Sequence, residues 1–153
     1  MRRCFVVFLA VVWFAAAFSA TAAAGRVAKV LPLFLDQQGR HALSPSLFDR
    51  DAYQAQLRKN PDQRSALRFD VQWRVRGVTG DKLKLRVELR GVAHGNLPRE
   101  KTLEQEVKPA EISRWTSVKL GGEDYKSFGE VTAWRVTLWD GEQLLGEQKS
   151  FLW

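Results

Sequence analysis

Few side chains in this 153-residue chain are of a kind that does covalent chemistry, and their spacing limits what they can do. The two histidines, His41 and His94, stand far apart in glycine-flanked loops and read as solvated residues rather than as a base or a metal ligand. A serine nucleophile needs a base and an orienting acid beside it. Ser44, Ser46 and Ser65 instead occupy places suited to turn and helix-cap residues. Hard-cation loops set oxygen ligands on alternate positions around a glycine, and Asp49-Arg50-Asp51 has neither that spacing nor the glycine. Glu104 and Glu106 share one strand face, which could pair carboxylates for acid–base work, yet polar faces of exposed strands produce the same pattern. Gly121-Gly122 precedes the acids Glu123 and Asp124, which would repel a phosphate, so it reads as a turn. No catalytic residue, metal or cofactor is expected, and a non-enzymatic role follows.

Two surfaces remain as binding candidates. The first is a basic strip of Arg68, Arg74, Arg76, Lys82, Lys84, Arg86 and Arg90. If residues 67–76 and 82–90 form a hairpin turning near Thr79, Arg76 faces Lys82, Arg74 faces Lys84, Arg68 faces Arg90, and Asp70 faces Glu88. Like charges set opposite each other cost stability. Either the long basic side chains splay into water, or an anionic partner neutralises the strip. The second surface is aromatic. Trp115, Tyr125 and Phe128 lie near turns and Trp139 on the polar face of its strand, and flat exposed rings can stack on sugars. A second layer, a dimer contact or a helix would equally cover them. Trp73 and Trp134 fall on apolar strand faces and read as core.

The elements that must carry these residues are mostly strands. Leu67, Phe69, Val71, Trp73 and Val75 alternate with polar residues at the period of a half-buried strand, and Leu83, Leu85, Val87 and Leu89 repeat it. Thr132, Trp134, Val136 and Leu138 alternate up to Asp140-Gly141, a pair suited to a tight hairpin turn, with a returning strand over 143–153. A two-residue turn would set Leu145 and Phe151 beside Trp134. A longer turn with a bulge would set Leu144 and Leu152 there, and this is the favoured register. Further strands are expected over 27–35, an edge strand because of Pro32, and over 102–107 and 112–120. Ser44-Pro45 and Ser46 open a helix over 47–59 that Asn60-Pro61 ends, with Phe48, Ala52 and Leu57 or Ala55 on its apolar stripe. The stripe is narrow, so the helix should cap an end of the sheets or cover an edge.

At the start, Arg2 and Arg3, an apolar run from Phe5 to Phe18 and Ala22-Ala23-Ala24 have the three parts of a secretory signal over 1–24. Cleavage before Gly25 would remove Cys4, the single cysteine, and with it any disulfide or thiol chemistry. Residues 25–153 suit one domain with a real core. With Arg2 and Arg3 removed, 22 basic residues face 17 acids, a net +5. That modest charge favours acidic envelope polymers over nucleic acid, for which no recognition motif appears. No membrane span is expected after cleavage, and the location is periplasmic or secreted.

Seven short strands in about 130 residues suit an all-β, seven-stranded antiparallel sandwich with one short helix after the first strand. Trp73, Tyr125 ahead of the penultimate strand, and the closing hairpin from Trp134 to Gly141 resemble bacterial exported immunoglobulin-like or fibronectin-III-like modules. The cysteine pair of that family is absent. A closed barrel of the lipocalin kind is the alternative fold, holding an apolar ligand. The resemblance implies a binding role: contacts with an envelope protein or acidic envelope polymer, with glycan binding through the exposed aromatics as the alternative.

Overall fold

A computed structural model describes residues 23–93 and 95–153. Most of the expected leader and His94 therefore lie outside the described residues. Among the described residues, seven strands and two α-helices follow one another: β1 (Ala24–Asp36), α1 (Leu47–Lys59), β2 (Arg64–Arg76), β3 (Leu83–Ala93), β4 (Leu97–Val107), β5 (Arg114–Gly121), α2 (Gly122–Phe128), β6 (Glu130–Asp140) and β7 (Gln143–Lys149). The strands form two antiparallel sheets, ordered β1-β2-β5 and β4-β3-β6-β7. Between them lie the alternating apolar residues of β2 and β3, from Phe69, Val71, Trp73 and Val75 to Leu83, Leu85, Val87 and Leu89, with Val136 and Leu138 of β6. Trp73 buries its ring there and donates its indole N–H to Thr116 Oγ1 on β5 at 2.9 Å, so the polar end of a core side chain is satisfied.

The expected hairpin of β2 with β3 does not form. β2 pairs β1 and β5, whereas β3 pairs β4 and β6, so the two consecutive strands stand in opposite sheets. Alternation reports which face of a strand is apolar, and both sheets of a two-layer structure turn an apolar face inward. The pattern of β2 and β3 is therefore the same whether the chain turns back within a sheet or crosses to the other one. Gly77, at φ 65°, opens the crossing segment.

The closing hairpin forms as expected, with residues 141–142 as the turn and Gly141 at φ 57°. Its register differs from the favoured one. Asp140 faces Gln143 and Trp139 faces Leu144, but Leu138 faces Gly146, so the bulge falls at Leu144–Leu145. Leu145 is buried, while Leu144, Phe151 and Leu152 are exposed. The position beside Trp134 goes to Ser150, whose N–H donates to the Trp134 carbonyl and whose hydroxyl accepts from the Trp134 N–H.

α1 has the expected bounds, and Ser46 Oγ accepts from the Asp49 N–H as its cap. Its inward residues are Tyr53, Gln54 and Leu57, and not Phe48, Ala52 and Ala55, which are exposed. The helix packs on the outer face of the three-stranded sheet, where Leu33, Leu35 and Ala66 are buried outside the main core. It also wraps the β1 edge: Gln54 Oε1 accepts from the Phe34 N–H, and its Nε2 donates to the carbonyls of Phe34 and His41. A side-chain amide thus completes the ladder of an edge strand, as a neighbouring peptide would. Asp36, buried at the end of β1, accepts from the N–H groups of Gln38 and Arg40, from Arg40 Nε and from the Tyr53 hydroxyl. Burial alone would raise its pKa, but those four donors outweigh it and hold the value at about 2.

The second helix, α2, has no counterpart in the sequence reading, which placed only a turn at Gly121-Gly122. It sets Phe128 into the core and half-buries Tyr125 beneath Arg64.

Candidate functional site

Along the flank where β1 and β7 meet, Gly25 and Gly146 let the two backbones approach closely; a Cβ on Gly146 would sit 3.0 Å from the Gly25 carbonyl oxygen. Further along that flank the sheets leave a cleft of about 220 Å³. Its floor is apolar and aromatic, made by Leu67 and Phe69 of β2, Phe34 of β1, Tyr125 of α2 and Trp134 of β6. Phe69 and Trp134 meet edge to face at 6.3 Å between ring centroids, a favoured geometry that fixes both rings. Arg58, Arg64, Glu130, Thr132 and Ser150 stand at the mouth.

The two arginines differ in availability. Arg64 donates to the carbonyls of Leu57 and Arg58 at the C-terminal end of α1, and its guanidinium lies 4.2 Å from the centre of the Phe34 ring. That side chain is committed to holding helix and sheet together. Arg58 is exposed and has no ion pair among the described residues. Burial raises the pKa of Tyr125, with nearby Arg64 pulling the other way, so its hydroxyl stays protonated.

The basic strip does not form a single surface. Lys82, Lys84, Arg86 and Arg90 lie on the outer face of the four-stranded sheet, where β4 sets an acid opposite nearly every one. Lys82 pairs Glu106, Lys84 and Arg86 pair Glu104, and Arg90 pairs Glu100. Hydrogen bonds from Lys84 and Arg86 lower the pKa of Glu104, so the Glu104–Glu106 pair is engaged by lysine and arginine. Glu88 takes Arg135 at 2.7 Å. On the other sheet Arg68 pairs Asp70, which also accepts from Ser117 Oγ. Arg74 and Arg76 have no ion pair among the described residues and line a shallow depression with Arg26.

Trp139 is half-buried: it donates to Thr137 Oγ1, and Arg86 stands 5.4 Å from its ring centre. Trp115 is 51% exposed on the outer face of the three-stranded sheet, opposite Gln72. Tyr125 is instead part of the cleft. The three aromatics therefore occupy three separate places. Of the hydroxyls weighed as nucleophiles, Ser44 bonds Asp49 and the Ser46 N–H, and Ser65 donates to the Asp36 carbonyl. Burial first, then Arg68, lower the pKa of His41. Among the described residues no three His, Cys, Asp or Glu side chains gather as a metal site would need.

Sequence reasoning missed the cleft. Phe34, Arg58 and Thr132 lie 24 and 74 residues apart in the chain, and their meeting depends on sheet order, which alternation does not encode. The single signal was that Trp134 alternates inward near the end of a strand.

No protein-family model and no curated protein matches the chain. Among solved structures it is similar to the crystal structure of a protein from Akkermansia muciniphila, with a TM-score of 0.51 and 12% sequence identity over 84% of this chain and 69% of that one. At that identity the likeness speaks for the fold alone: seven antiparallel strands in two sheets, with a bacterial counterpart.

Proposed function

We propose that this domain is an exported, non-catalytic binding module of the bacterial envelope that works through protein contacts. The strand order β1-β2-β5 against β4-β3-β6-β7 supports the immunoglobulin-like or fibronectin-III-like architecture read from the sequence. The observation that carries the binding role is the cleft, where an aromatic floor opens to solvent between the sheets under a polar rim. Concave apolar sites with a few polar groups at the mouth are the usual form of a recognition site. The test is photo-crosslinking in the producing cell from a benzophenone amino acid at Thr132, on the rim, against the same probe at Thr79, in the crossing segment. A discrete protein adduct from Thr132 and none from Thr79 is expected; identical patterns from both would remove the reading.

Trp115 favours a second reading, a glycan-binding face, since its exposed ring lies beside Gln72, Ser117 and Asp70, which could bond sugar hydroxyls. Tryptophan fluorescence titrated with peptidoglycan fragments tests it. A shift lost in Trp115→Ala supports this reading, and silence with every fragment dismisses it.

A further inference from the structure

The two strands of the closing hairpin differ in length, and the difference falls at the cleft. β6 has eleven residues and β7 has seven. β7 pairs β6 from Arg135 to Asp140, and Ser150 closes one more rung on Trp134. The chain then turns away, its last bond running from the Trp153 N–H to the Ser150 carbonyl. Beyond that rung, Glu130, Val131 and Ala133 pair β3 on one side, with a register break at Thr132, while among the described residues no strand pairs this stretch on the other. That open flank is one wall of the cleft, which Glu130, Val131, Thr132 and Trp134 line from β6 and Pro32 and Phe34 from β1.

We propose that this gap receives an extended peptide segment of a partner protein, which continues the line of β7 along β6 and drops an apolar side chain into the cleft. An added strand gains affinity from main-chain hydrogen bonds and specificity from pockets that take alternate side chains. Two of the other edges suit this less well. β1 is closed near Phe34 by the Gln54 amide and near Gly25 by β7. β4 presents an edge dense in charge, with Pro98, Arg99, Glu100 and Lys101 in sequence, a composition that discourages pairing.

The size of the cleft sets the anchor. A volume of about 220 Å³ is on the order of seven waters at their share of liquid volume, room for one large apolar side chain and part of a neighbour. The aromatic floor favours leucine, isoleucine or phenylalanine. At the mouth, Arg58 and Glu130 both lack an ion pair among the described residues, while Arg64 is held by the carbonyls of α1, so an acidic residue is selected on the Arg58 side of the anchor and disfavoured beside Glu130. The occupant is thus an extended segment with an apolar anchor beside an aspartate or glutamate.

This inference rests on the protein-contact reading and names its site. The probe is a pool of nine-residue peptides of alternating valine and threonine, with leucine, isoleucine or phenylalanine at the centre and aspartate two residues away. Binding is followed by fluorescence anisotropy and by amide hydrogen exchange of the purified protein. Slowed exchange within Glu130–Ala133, with β4 unchanged, is expected. Methylating alternate peptide amides should abolish binding, and Arg58→Glu should weaken it by roughly tenfold while leaving the fold intact. No binding at about 1 mM across the pool, equal binding of the methylated peptides, or slowed exchange confined to another edge would each overturn strand addition. If Thr132 crosslinks a partner whose capture the peptides do not compete, the module reading survives and this inference falls. If Thr132 crosslinks nothing, the module reading falls first.

Discussion

Protonating a single buried carboxylate should measurably loosen the fold, because Asp36 ties β1, the loop to Arg40 and α1 through one side chain. Its pKa is about 2 in the folded chain against 3.8 for the unperturbed group. At roughly 1.4 kcal/mol per pH unit, that difference is worth about 2 kcal/mol of stability. The sign follows from linkage: a carboxyl whose folded pKa is depressed stabilises fully above its unfolded pKa and loses that contribution as pH falls toward the folded value. The loss therefore runs between about pH 4 and pH 2. The assay is urea unfolding of the parent and Asp36→Asn from pH 7 down to pH 2, since other acids titrate alike in both and cancel in the difference. The amide keeps an oxygen for some of the four donors but no charge for Arg40, so the variant should be weaker by at least about 2 kcal/mol at pH 7. The gap between the two proteins should shrink steadily below pH 4. A gap that stays constant down to pH 2 would refute the assignment of this stability to an ionised Asp36.

Three further outcomes follow from particular contacts. Gln54→Ala removes three hydrogen bonds from β1 and the loop to α1 and should cost about 2–4 kcal/mol; sedimentation velocity should also reveal self-association as the bared edge pairs. Phe48→Ser should change stability by less than about 0.5 kcal/mol, because that ring is 81% exposed, and a large drop in melting temperature would place it in the core after all. Gly129→Ala should destabilise by more than about 1 kcal/mol, since Gly129 holds φ 85° and a Cβ there would meet the Val92 backbone; unchanged urea unfolding would contradict this backbone geometry.

The strands and the main helix were legible because each rests on local pattern. Alternation from Leu67 to Val75 and from Leu83 to Leu89 marked the faces now buried, and Ser46 with Asn60-Pro61 marked the ends of α1. Neighbour relations were not legible. The acids that meet Lys84, Arg86 and Arg90 stand on β4, and nothing in the β2 and β3 residues distinguishes a turn from a crossing. α2 escaped because its seven residues begin at a glycine pair, although Tyr125 and Phe128 at helical spacing after two acids were a usable hint. Phe48 was misread because a helix lying on an already apolar sheet face needs few apolar residues of its own, and Gln54 was polar for a reason visible only once β1 lay beside it.

The Gln54 contact also bears on how the molecule assembles. α1 carries few apolar residues, so alone in water it would be marginal, and the rim of β1 it touches would be left with unmet donors and acceptors. Each completes the other, so docking of the helix is expected to accompany maturation of the first sheet. The amide proton of Phe34 then becomes a built-in reporter: its exchange with solvent should keep pace with the undocking of α1 and not with fraying of the strand.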